Sequence, residues 1–110
     1  MRERERIKEE FLVECRTDYE GLWALLWRVK RNMLIEDSHE IREVVLSILK
    51  DLLNSGLIKA GVPTITGRFE EWCLSPSQIM EKINCEWDRL GGEPNIGDIV
   101  WFTSPENISH

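Results

Sequence analysis

The sequence predicts a small α+β domain, mostly helical, in which three N-terminal helices lead to a two-stranded antiparallel element with a fourth helix inserted between its strands. Three observations carry this expectation. Apolar residues recur at helical spacing over 19–33 and 39–54. Ser75-Pro76-Ser77-Gln78 opens another helix over 76–90. Two short strand-like runs, 57–61 and 98–103, flank that helix. A chain of 110 residues has room for one hydrophobic core, so 1–110 reads as a single domain, with residues 1–16 as a helical N-terminal arm.

The arm, over 3–15, carries Ile7, Phe11 and Leu12 as a narrow apolar stripe, so it either docks on the core or remains mobile. In the next helix Leu22, Leu25, Leu26, Val29 and Met33 form a buried stripe. Asp18 precedes it as an expected N-cap, its carboxylate accepting from first-turn amides. Asp37 and Glu40 have capping-box spacing ahead of Ile41, Val44, Val45, Ile48 and Leu52. Gly56 ends that helix because glycine takes the left-handed conformation without a Cβ penalty. Val62 to Arg68 reads as a loop or ragged strand. The inserted helix places Ile79, Ile83, Trp87 and Leu90 on one face and stops at Gly91-Gly92; a turn at Pro94–Gly97 then leads into the closing strand 98–103.

Composition narrows the function classes. Apolar residues make up 42% and charged residues 31%, a globular balance. Cys15, Cys73 and Cys85 are odd in number and widely spaced, with no C-x-x-C pair, which points to a reducing cytoplasmic setting and to neither a disulfide framework nor a zinc knuckle. The charged start Met1-Arg2-Glu3-Arg4 is unlike a signal peptide, and no apolar run approaches the roughly 18 residues of a membrane span. Net charge is -6, which disfavours phosphate backbones and favours a basic protein partner. The charge is concentrated over 70–98, where Glu70, Glu71, Glu81, Glu86, Asp88, Glu93 and Asp98 face only Lys82 and Arg89.

A helix running through Leu52-Leu53-Asn54-Ser55-Gly56-Leu57-Ile58 into a strand resembles the junction between the third helix and the wing of winged-helix domains. The resemblance covers roughly 19–61 and 98–103; it implies antiparallel pairing of the two strands and, as a function, DNA-binding transcriptional regulation. Two departures weaken that function. A helix replaces the wing loop, and the third helix exposes His39, Glu40, Arg42, Glu43, Ser47, Lys50 and Asp51, a slightly acidic set where DNA binders are basic. Phe69-Glu70-Glu71-Trp72, Glu86-Trp87 and Ile96 to Phe102 also resemble a group of small uncharacterised bacterial proteins. Some small acidic cytosolic proteins of this kind serve as immunity partners of bacterial toxins.

Candidate chemistry is sparse. The histidines are His39, at a helix start, and His110, the last residue, so no acid–base pair is apparent and no catalytic residue is assigned. Cys73 and Cys85, twelve apart, match no ligand motif, and neither a metal nor a cofactor is expected. Five tryptophans are many for this length. Tyr19, Trp23 and Trp27 follow at i, i+4 and i+8, a second stripe rotated roughly 100° from the leucine stripe. These rings either pack inside the fold or form a patch for a partner or a second copy. Glu81 and Asp88 are expected to project away from the core, with Glu70 and Glu71 just before their helix. The six residues Glu70, Glu71, Glu81, Asp88, Trp23 and Trp27 are therefore the candidate partner-binding set.

Overall fold

In the computed structural model, residues 2–108 are described, and four helices pack with one four-stranded sheet. Helix α1 spans Arg2–Thr17, strand β1 Glu20–Gly21, α2 Leu22–Met33, α3 Ser38–Asn54, β2 Lys59–Pro63, β3 Phe69–Glu71, α4 Pro76–Leu90 and β4 Trp101–Thr103. A 3-10 turn at Pro105–Asn107 follows. The fold is thus α+β and mostly helical.

Local chemistry sets most helix ends. Asp37 caps α3, its carboxylate accepting from the amides of His39 at 2.8 Å and Glu40 at 3.1 Å. At the other end Gly56 takes φ 71, its amide bonds the Leu53 carbonyl, and the Leu57 amide bonds the Leu52 carbonyl. This double closure satisfies carbonyls that the helix would otherwise leave open. Both halves of the box at α4 form: Gln78 N donates to Ser75 Oγ at 3.2 Å, and Ser75 N donates to Gln78 Oε1 at 2.9 Å.

The N-terminal helix docks. Ile7, Phe11 and Cys15 are fully buried, so its inner stripe runs i, i+4, i+8 and ends on cysteine, while Leu12 is only partly covered. Arg4 donates to Ser47 Oγ and Asp51 Oδ2 of α3, each at 2.7 Å. The carbonyl of Cys15 accepts from Ser104 N, Thr103 Oγ1 and Asn107 Nδ2. One apolar cluster joins α1, α2 (Leu22, Leu25, Leu26, Val29), α3 (Ile41, Val45, Ile48, Leu49, Leu52, Leu53), α4, Ile58 just before β2, and the sheet residues Ala60 and Phe102.

The sheet corrects the two-stranded expectation. Its order is β1-β4-β2-β3, and every pairing is antiparallel. The anticipated pairing of the strand after α3 with the closing strand is present as Ala60↔Phe102. Two strands are added at the edges. Val62 to Arg68 is not a loop throughout: β2 continues to Pro63 and turns back through Gly67 into β3. Glycine is needed at 61, where an added Cβ would stand 2.2 Å from the Glu70 carbonyl oxygen.

Three further expectations are revised. Asp18 does not cap α2; the helix starts at Leu22 with Gly21 as N-cap, because Glu20–Gly21 is drawn into the sheet beside β4. Asp18 Oδ1 instead accepts from the Tyr19 amide. Leu90 is exposed and leaves Ile79, Ile83 and Trp87 as the buried face of α4, since the helix ends at Gly91 before the core closes over it. The closing strand begins at Trp101, because Ile99 takes φ 67 within a tight turn closed by Val100 N to Asp98 O at 2.8 Å. A β-branched residue at positive φ is sterically costly, and it redirects the chain into the sheet.

Candidate partner-binding site

The six sequence-selected residues lie at three places. Glu70 and Glu71 are adjacent on the edge strand β3, so their side chains leave opposite faces. Glu70 is exposed, whereas Glu71 is half-buried, with Lys59 at 3.9 Å. Glu81 is exposed on α4. Asp88 is exposed as well, its side chain 71% accessible, and its Oδ1 meets Arg42 Nη1 at 2.9 Å across the α3–α4 contact.

Arg42 organises that contact. Its Nη2 donates to the carbonyl and Oδ1 of Asn84 at 3.1 and 3.0 Å, and its guanidinium lies 5.0 Å over the Trp87 ring. Arg42, Trp87 and Asp88 border a cleft of about 440 Å³ together with Leu26, His39 and Glu93. His39 Nε2 meets Glu43 at 3.1 Å on the open rim. With its guanidinium committed to Asn84, Asp88 and an indole, Arg42 is a structural clamp and not a free anion receptor. Among the described residues, no three His, Cys, Asp or Glu side chains gather as a metal site, and no helix is long and apolar enough to cross a membrane. His110 lies outside the described residues.

Trp23 and Trp27 do come together. Their rings stack on α2 with centroids 6.2 Å apart and planes 19° apart. Arg31 lies 4.9 Å over Trp27, completing an i, i+4, i+8 column in which each ring or cation follows the last by about one turn. Trp27 remains 48% exposed. Tyr19 is not part of this helix. Its ring packs 5.1 Å from Phe69, and its hydroxyl donates to the Gly67 carbonyl at 3.0 Å.

Sequence reasoning missed the neighbourhood at the N-terminal end of that column. Tyr19, Glu20, Gly21, Trp23, Ile96 and Trp101 border a cavity of about 160 Å³ between α2, β1 and β4. Burial, then Glu14 and Asp18, push the Glu20 carboxyl up to about 7. Arg28, the nearby cation, is taken by Glu14 and by Glu10, the latter at 3.0 Å. The abundance of tryptophan was the signal present in the sequence. What it lacked was the β1–β4 pairing, which carries Trp101 to Gly21.

Comparison with known proteins gives no match: no family model, no curated protein and no solved structure is significantly similar to this chain.

Proposed function

We infer that the chain is a non-enzymatic protein-binding module whose partner is basic, most specifically a cytosolic immunity or inhibitor protein that neutralises a basic toxin domain. The observation that carries this reading is the Trp23–Trp27 stack, in which Trp23 is half-buried and Trp27 is left open at the surface of α2. Exposed indole is unusual on a surface that binds nothing and is common at interface hot spots. The net charge of -6 and the exposed Glu70 and Glu81 favour a positively charged partner.

A winged-helix DNA-binding regulator is the second reading, favoured by the order α2, α3, β2 and by the β2–β4 pairing. The surface of α3 counts against it. Glu36, Asp37, Glu40 and Glu43 are exposed around its N-terminal half, Ser47 and Asp51 are occupied by Arg4, and Arg42 is clamped. Phosphates would meet mainly carboxylates there.

The test measures association with the product of the adjacent gene. Trp27→Ala is expected to weaken binding at least about tenfold, as for an interface anchor. Reversal of Glu70, Glu71, Glu81 and Asp88 to lysine is expected to slow association more than it speeds dissociation. Random duplex DNA should give no shift at micromolar protein and physiological salt. A salt-sensitive DNA complex would transfer the assignment to the regulator, and a concentration-dependent dimer abolished by Trp27→Ala would assign the indole face to a second copy.

A further inference from the structure

Strand β3 closes one side of the sheet, with β2 as its neighbour and, among the described residues, no strand beyond it. Alternate residues carry its ladder to β2: Thr64 N donates to the Arg68 carbonyl at 2.7 Å, Trp72 N donates to the Ala60 carbonyl at 2.8 Å, and Glu70 stands between them opposite Val62. The alternation turns the amide and carbonyl groups of Phe69 and Glu71 to the open side. Among the described residues no backbone group bonds these four, and Cys73 Sγ approaches the Glu71 carbonyl only to 4.0 Å. Side chains alternate as well: Arg68, Glu70 and Trp72 share one face, and Phe69 and Glu71 the other, where the Phe69 ring is buried against Tyr19.

We propose that the basic partner docks by adding an extended segment antiparallel to β3, with two adjacent basic residues, one opposite Glu70 and one opposite Glu71, between apolar residues. This rests on the partner-binding reading above and names how the partner is held. Unpaired edge N–H and C=O groups are a template for strand addition, in which main-chain bonds supply affinity and side chains supply specificity. Every pairing already in the sheet is antiparallel, and that arrangement is the more stable per residue. Charge complementarity selects the occupant. Glu70 is exposed and has no ion pair among the described residues, and Glu71 has Lys59 only at 3.9 Å. Because consecutive side chains leave opposite faces, matching both carboxylates takes one cation on each face, hence two in a row. A second copy of this chain is excluded by the same register. Two-fold pairing along all of β3 centres on Glu70 and sets it against its own counterpart in a non-hydrogen-bonded pair, with Cα atoms about 4.5 Å apart, where like charges repel.

The test titrates the full chain with the peptide Ac-TVKKVET-NH2, following backbone amides by NMR. In the proposed register its lysines meet Glu71 and Glu70, its valines Trp72 and Phe69, and its glutamate Arg68. Saturable shifts are expected at the amides of Phe69 and Glu71. The charge-reversed peptide Ac-TVEEVKT-NH2 is expected to bind at least about tenfold more weakly, since each opposed pair changes sign. The lysine peptide N-methylated at the residues opposite Phe69 and Glu71 keeps its charges but loses two ladder donors, and it should also bind at least about tenfold more weakly. Glu70→Lys should invert the preference between the two unmodified peptides. Glu71→Pro removes an N–H that β2 does not use, which an edge strand tolerates, and it should weaken the lysine peptide about fivefold beyond Glu71→Gln, the worth of one hydrogen bond. Undiminished binding of the N-methylated peptide would overturn strand addition in favour of charge contact alone. Equal binding of the two unmodified peptides, or no shift at Phe69 and Glu71, would overturn the proposal as a whole. A partner that binds Glu70→Lys and Glu71→Pro as well as the native chain removes this inference alone; a native chain that binds no protein while the lysine peptide still pairs removes the partner reading and leaves the chemistry of the edge standing.

Discussion

Glu20 is half-buried, with Glu14 and Asp18 close by, and its carboxyl titrates near 7 in the folded chain against 4.5 for an ordinary glutamate. Between those values the folded protein holds a proton that the unfolded chain has released. The stability from this group is therefore fully present below the ordinary value and is lost as pH rises through about 7. Partial exposure keeps the effect modest. Glu20→Gln should be more stable than the native chain at pH 8 and should flatten the fall in Tm between pH 5 and 8. Parallel Tm–pH curves for the two proteins would contradict this. None of it was legible in the sequence, where Glu20 is one acid among many. Its neighbours come from α1 and α2, and only their packing sets its environment.

Helix ends and helix docking depend on different kinds of information, and two substitutions separate them. Ser75→Ala removes the Oγ that accepts from the Gln78 amide in a box that the sequence states outright, leaving the backbone N–H bond to Gln78 Oε1, and it should cost about 1 kcal/mol. Phe11→Ala empties a fully buried site where the ring meets Phe102 edge-on at 6.1 Å, and it should cost about 3–5 kcal/mol. Chemical denaturation measures both. A similar small loss for the two would mean that α1 is a loosely attached arm. Capping at Ser75, Asp37 and Gly56 was legible because it involves residues within one turn of each other. The fate of α1 was not, because Ile7, Phe11 and Leu12 make the same narrow stripe whether or not a groove receives them. Strands fared worst. β1 and β3 hold two and three residues, too few for any period to register, and they exist because neighbouring strands offer them partners.

At the scale of the molecule, one apolar cluster reaches into all four helices and the sheet, and α1 is tied to the C-terminal segment through the Cys15 carbonyl. Unfolding should accordingly be a single cooperative transition. Far-ultraviolet ellipticity and tryptophan fluorescence should change together, since the indoles sit on α2, after β3, on α4 and on β4. Two separated midpoints would show that the arm or the α4 insertion melts independently. The α+β class, the helix order, the caps at Asp37, Gly56 and Ser75 and the acidic balance could be read from the residue string, because propensity, periodicity and charge are properties of short segments or of composition. The candidate site could not. Tyr19, Gly21, Trp23 and Trp101 are dispersed along the chain, and the clamp of Asp88 on Arg42 joins two helices whose facing surfaces no local pattern specifies. Such contacts are chosen by the joint burial of distant faces, a property of the folded whole and not of any segment.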